Sequence, residues 1–193
     1  MKKILLLVIL IFLSTKIHSQ TSTLIINNYS NLILEGMVYA NPVSGSSCYP
    51  SIISGNGSAW SVIVQPGTPA IPYTVTYDKY RFANLPATNY PLTQWWTQTA
   101  STSPAQYRPV GHPLFFANSP IDISTNWTGF YFVTRDTSGN YHAEQPIGDP
   151  TYFNMGCTPC AYSYNAISGD TEAEWFTLSS GGTNYTYVQV YDY

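Results

Sequence analysis

The chain is short of charge. Asp, Glu, Lys and Arg make up only 9% of its 193 residues, against about 25% in an ordinary globular protein. Cations are scarcest: beyond residue 19 only Lys79, Arg81, Arg108 and Arg135 remain, and with ten carboxylates they give a formal charge of −6. So few positive side chains cannot neutralise a run of phosphates, which argues against nucleic acid as a partner. Attraction to an anionic membrane surface fails for the same reason. The motifs of common chemistries are missing as well. His112 and His142 stand outside any H-x-x-x-H spacing, and there is neither a G-x-S-x-G elbow nor a glycine-rich phosphate loop.

Helical periodicity is lacking too. The 14 prolines all lie beyond residue 19 and interrupt nearly every window long enough for a helix. A long apolar run occurs once, over residues 4–13, behind Lys2 and Lys3 and ahead of STKIHS. Ten apolar residues are too few to span a bilayer, which needs about 20. The layout is that of a bacterial secretory signal peptide over 1–19, cleaved before Gln20. The residue directly after that point is Gln20 and not cysteine, which argues against lipid attachment. The expected mature chain, 20–193, is one domain with no membrane span and a core of ordinary size.

What the chain has instead is rings, hydroxyls and amides. It holds 17 Tyr and five Trp, residues that supply amphipathic contact surface at low charge. Period-two alternation is frequent and predicts strands. Tyr73, Val75 and Tyr77 alternate with Thr74, Thr76 and Asp78, Phe130 and Phe132 with Tyr131 and Val133, and Val188 and Val190 with Tyr187, Gln189 and Tyr191. Further strands are expected in TLIIN (23–27), LILEGMVYA (32–40), AWSVIV (59–64) and AYSYNA (161–166). DTSGN (136–140) and SSGGTN (179–184) place glycine where a hairpin needs a left-handed residue. Short antiparallel strands joined by such turns predict an all-β fold, an antiparallel β-sandwich or jelly roll. Residues 83–119, with five prolines and the pair Trp95-Trp96, read as one long ordered excursion.

Four groups of residues are candidates for function. In SGDTEAEWF, Asp170, Glu172 and Glu174 alternate and would share one strand face. Such a row could hold a calcium ion, the only cofactor the sequence suggests, or supply the carboxyl pair of a glycoside hydrolase. The D-x-E-x-E order is similar, over five residues, to the alternating E-x-D-x-E strand of some jelly-roll glucanases. The plainer reading is a wetted strand face with Ala173 and Trp175 turned inward. Second, GCTPC holds Cys157 and Cys160, with Cys48 as the only other cysteine. No helix follows to activate a thiol, so an exported protein would use one structural disulfide here. Joining Cys48 to either partner closes a loop of more than 100 residues, which stabilises by about 4.7 kcal/mol in the chain-entropy account.

Third, Asp136, Ser138 and Asn140 have metal-ligand spacing that a hairpin turn explains equally well. Fourth, Trp95 and Trp96 lie in PLTQWWTQ, with Tyr90 and Tyr107 nearby. Rings beside Thr and Gln suit stacking on sugar faces while amides bind hydroxyls; burial beneath a loop is the alternative. YTYVQVYDY resembles the last strand of an outer-membrane barrel, but the prolines and short polar runs elsewhere do not continue that pattern. The sequence thus predicts a secreted binding or structural protein contacting a glycan or other cell-surface material through Trp95, Trp96, Tyr90 and Tyr107. The rivals are a polysaccharide hydrolase using the acid row and an extracellular protein that self-associates through tyrosine-rich edge strands.

Overall fold

Alternating burial organises each long strand. In the computed structural model, which describes residues 21–43, 47–55, 61–80, 92–154 and 163–193, β1 (Thr21–Asn28) turns Leu24 and Ile26 inward and Thr23, Ile25 and Asn27 outward. β12 (Thr183–Asp192) repeats the pattern, burying Val188 and Val190 between outward Tyr187, Gln189 and Tyr191. β5 (Tyr73–Asp78) buries Val75 and Tyr77, and β11 (Thr171–Ser180) buries Ala173 and Trp175. With the short β10 (Asn165–Ser168) these form a five-stranded sheet in the order β10-β11-β12-β1-β5. Its central pair, β1 with β12, is parallel, and the other pairs are antiparallel.

The second sheet has seven strands. β2 (Ile33–Pro42) and β8 (Thr125–Arg135) are its centre, flanked by β9 (Tyr141–Gly148) on one side. On the other side lie β3 (Ser51–Ser54), β4 (Val62–Val64), β6 (Gln94–Gln98) and β7 (Gln106–Pro109). Leu34, Val38, Ile52, Val62, Phe130, Phe132 and Ile147 face Leu24, Ile26, Trp175, Val188 and Val190 across the interior. The protein is an all-β sandwich. Among the described residues no helix is long and apolar enough to cross a membrane.

Close packing leaves room only for glycine at position 36, where a Cβ would lie 2.4 Å from the Tyr131 carbonyl oxygen and 2.7 Å from Phe130. Both expected hairpins form. In the first, the Asp136 carboxylate accepts from the backbone N–H groups of Ser138 and Asn140 and from Asn140 Nδ2, while Gly139 takes φ +86°. Those bonds pull the Asp136 carboxyl below its usual range, with the Asn140 side chain contributing most. The Asp-Ser-Asn spacing is therefore turn chemistry.

Of the ordered excursion expected over 83–119, residues 92–119 are described. Residues 92–119 contribute β6 and β7, which extend the seven-stranded sheet, and a single 3-10 turn at Pro113–Phe115. Tyr90 and the AYS of AYSYNA lie wholly or largely outside the described residues, as do Cys157, Cys160 and the leader.

One end of the interior is built from rings around a buried lysine. Trp95, Tyr80, Trp127, Phe115 and Tyr77 pack with centroids 5.4–6.5 Å apart, mostly edge-on or tilted. Each indole N–H is spent internally: Trp95 Nε1 donates to the Tyr80 carbonyl at 3.1 Å and Trp127 Nε1 to the Ser22 carbonyl at 3.2 Å. Lys79, 1% exposed and at φ 52°, donates through Nζ to the carbonyls of Asp122 and Thr125. These bonds tie β5 to the short helix Pro120–Ser124 and the start of β8.

Candidate functional site: the outer face of the five-stranded sheet

The structure separates the expected ring platform. Adjacent residues of a strand point to opposite faces, and QWWTQ is strand β6. Trp95 is therefore in the core at 1% exposure, which corrects its assignment as a surface contact. Trp96 turns outward and lies directly opposite Tyr107 of β7, which is exposed. Tyr90 is not among the described residues.

The acid row is also divided. Asp170 sits in the turn between β10 and β11, where its carboxylate is 3.4 Å from His142 Nδ1, and His142 Nε2 is 3.8 Å from Asp136. That turn borders a shallow polar groove lined by Asn31, His142, Asp170 and Asp192. Glu172 and Glu174 do share a face, the outer side of β11, while Ala173 and Trp175 point inward. Among the described residues no group of three or more His, Cys, Asp or Glu is arranged to hold a metal ion. The Asp170/Glu172/Glu174 set thus offers calcium no shared ligand cage.

A larger arrangement surrounds Glu174. Strand register aligns Asn165, Glu174, Gln189, Asn27 and Thr74, one from each of the five strands, in a polar row across the sheet. At an inter-strand spacing of about 4.8 Å the row is about 19 Å long. Residues two places away on the same strands flank it at about 6.8 Å on either side. On one flank Phe176 and Tyr187 stack across β11 and β12, centroids 5.1 Å apart and planes 15° from parallel. On the other, Tyr191 stacks on Tyr29 at 5.0 Å and 11°. The row is a polar stripe, here called the trough, bordered by one aromatic pair over β11 and β12 on one flank and by another over β12 and the end of β1 on the other.

Local bonds fix both walls and floor. Tyr29 continues the ladder beyond β1, its N–H donating to the Val190 carbonyl at 2.7 Å. The following turn is held by fully buried Asn28, whose Nδ2 donates to the Leu32 and Gln65 carbonyls and whose Oδ1 accepts from Ser30. On the floor, Thr74 Oγ1 donates to Asn27 Oδ1 at 2.8 Å, and the Tyr191 hydroxyl donates to Gln189 Oε1. Burial, then the nearby Glu174 carboxylate, Tyr29 and Glu172, push the Tyr191 hydroxyl upward, which keeps it a donor. With their oxygens engaged, Asn27 and Gln189 present free N–H₂ donors beside the Glu174 acceptor.

Sequence reasoning identified Glu172 and Glu174 but missed Tyr29, Asn27, Phe176, Tyr187, Gln189 and Tyr191 as parts of one surface. The available signal was the outward half of YTYVQVYDY, whose alternation already placed Tyr187, Gln189 and Tyr191 on one side. No protein-family model, characterised protein or solved structure matches the chain.

Proposed function

We propose that this is a secreted binding protein that holds a carbohydrate chain on the outer face of its five-stranded sheet. The observation that carries the reading is the trough itself. Sugars present apolar ring faces bordered by hydroxyls, and partly exposed aromatics around free amide donors and a carboxylate acceptor complement both. Export is supported by the signal-like segment 1–19, and contact through neutral groups by the scarcity of charge.

A glycan panel with isothermal titration on positive hits tests the proposal. Tyr187→Ala and Gln189→Ala should each weaken binding by about tenfold, equivalent to about 1.4 kcal/mol. Trp96→Ala should leave it unchanged. If Trp96→Ala abolishes binding and the trough variants do not, the Trp96–Tyr107 face is the site instead. Release of new reducing ends would show a hydrolase.

We also propose that Cys48 forms the long disulfide with Cys157 or Cys160. The Cys48 carbonyl accepts from Asn41 Nδ2, Asn41 Oδ1 accepts from Thr128 Oγ1, and the Thr128 carbonyl accepts from Asp149 N–H. That chain of bonds links the Cys48 loop to Asp149, which precedes Cys157 by eight positions in the sequence, and so supports the long pairing. Peptide mapping without reduction should recover a Cys48-linked pair.

A further inference from the structure

The proposed binding reading can be carried to a class of polymer. The floor of the trough advances one strand at a time, about 4.8 Å per step, and each step contributes one polar side chain. An extended β-1,4-linked pyranose chain advances by a closely similar length per sugar, whereas an α-1,4-linked chain coils and loses step with the strands. The row runs from Asn165 on β10 to Thr74 on β5, both exposed and each on an edge strand of this sheet. Both terminal side chains are open to solvent, which suits the middle of a chain as well as its terminus. The charged members of floor and walls are Glu172 and Glu174, with no cation among them, and a polyanion would be repelled.

Twist narrows the class further. Adjacent strands rotate by about 20–25°, so over four steps the floor turns by about 80–100° around its own length. A single chain in solution can follow that rotation; the flat face of a crystalline polymer cannot. We infer that the trough binds an internal stretch of a single, uncharged β-1,4-linked glycan chain laid across the strands, with one sugar unit per strand. This rests on the trough being the carbohydrate site.

The test uses the purified full-length protein with β-1,4 gluco-, manno- and xylo-oligosaccharides from disaccharide to heptasaccharide, maltohexaose, polygalacturonate and microcrystalline cellulose. For at least one β-1,4 series, affinity should climb to the pentasaccharide and then level off. Maltohexaose should bind at least about tenfold more weakly, a difference of about 1.4 kcal/mol. Polygalacturonate and crystalline cellulose should not compete. Asn165→Ala, an exposed change at one end of the floor, should move the levelling point to the tetrasaccharide. Equal affinity for disaccharide and hexasaccharide, a preference for maltohexaose, or an unmoved levelling point would overturn this inference while leaving carbohydrate binding in place. Failure of every glycan would remove both.

Discussion

Two groups of aromatic rings, one inside the sandwich and one outside, show how the same residue types serve different ends. Inside, Tyr77, Tyr80, Trp95, Phe115 and Trp127 meet mostly edge-on or tilted, and both indole N–H groups are satisfied by backbone carbonyls. Outside, Phe176 with Tyr187 and Tyr29 with Tyr191 stand in parallel stacks whose outer edges remain open to solvent. The inner group gains its energy from enclosure. The outer group is only partly buried, so each ring keeps an edge that a ligand can cover. Removing a ring should therefore cost stability in one group and affinity in the other.

The sharpest way to break this contrast is Trp95→Ala. It should lower unfolding free energy by about 3–5 kcal/mol in denaturant titrations, while the protein that stays folded binds as before. Alkali should attack the same inner group next. Burial holds the hydroxyls of Tyr77 and Tyr80 far above their ordinary range. A folded-state value raised above the unfolded one favours the native state fully below about pH 10, the ordinary tyrosine value, and that advantage is lost as pH rises above it. Stability should be level near neutrality and fall steeply above about pH 10, with tyrosinate absorbance rising together with unfolding.

Lys79→Met should come third. It keeps the aliphatic stem but strips the Asp122 and Thr125 carbonyls of a donor, at about 1–3 kcal/mol, measured as a drop in thermal midpoint. In the outer group, Tyr187→Ala should cost only about 0.5–1.5 kcal/mol of stability, the worth of one aromatic pair, yet reduce glycan binding. Trp96→Ala should change stability least, within about 0.5 kcal/mol. If Trp95 and Trp96 proved equally costly, the assignment of one to the core and the other to the surface would be wrong.

The strands were legible because their alternation is local. Phe130/Phe132 and Val188/Val190 announce their buried face within a few residues, and DTSGN and SSGGTN announce their turns. The β6 strand was hidden by the prolines on either side of it, Pro91 and Pro104, and by its polar flanks. Yet two adjacent tryptophans in an extended segment must point opposite ways, a signal that would have divided Trp95 from Trp96. Lys79 could not be foreseen, since its burial depends on carbonyls more than 40 positions away. The trough was illegible for a similar reason. Its floor aligns Asn27 with Gln189, and no local pattern discloses the register of two strands from opposite ends of a chain.

That parallel pairing also governs when the molecule can fold. β1 and β12 pair inside the five-stranded sheet, so the earliest-made strand can meet β5 soon after synthesis but must wait for the last strand to gain its second neighbour. Contacts so distant in sequence form slowly. Until β12 emerges the nascent polypeptide has no way to complete this layer.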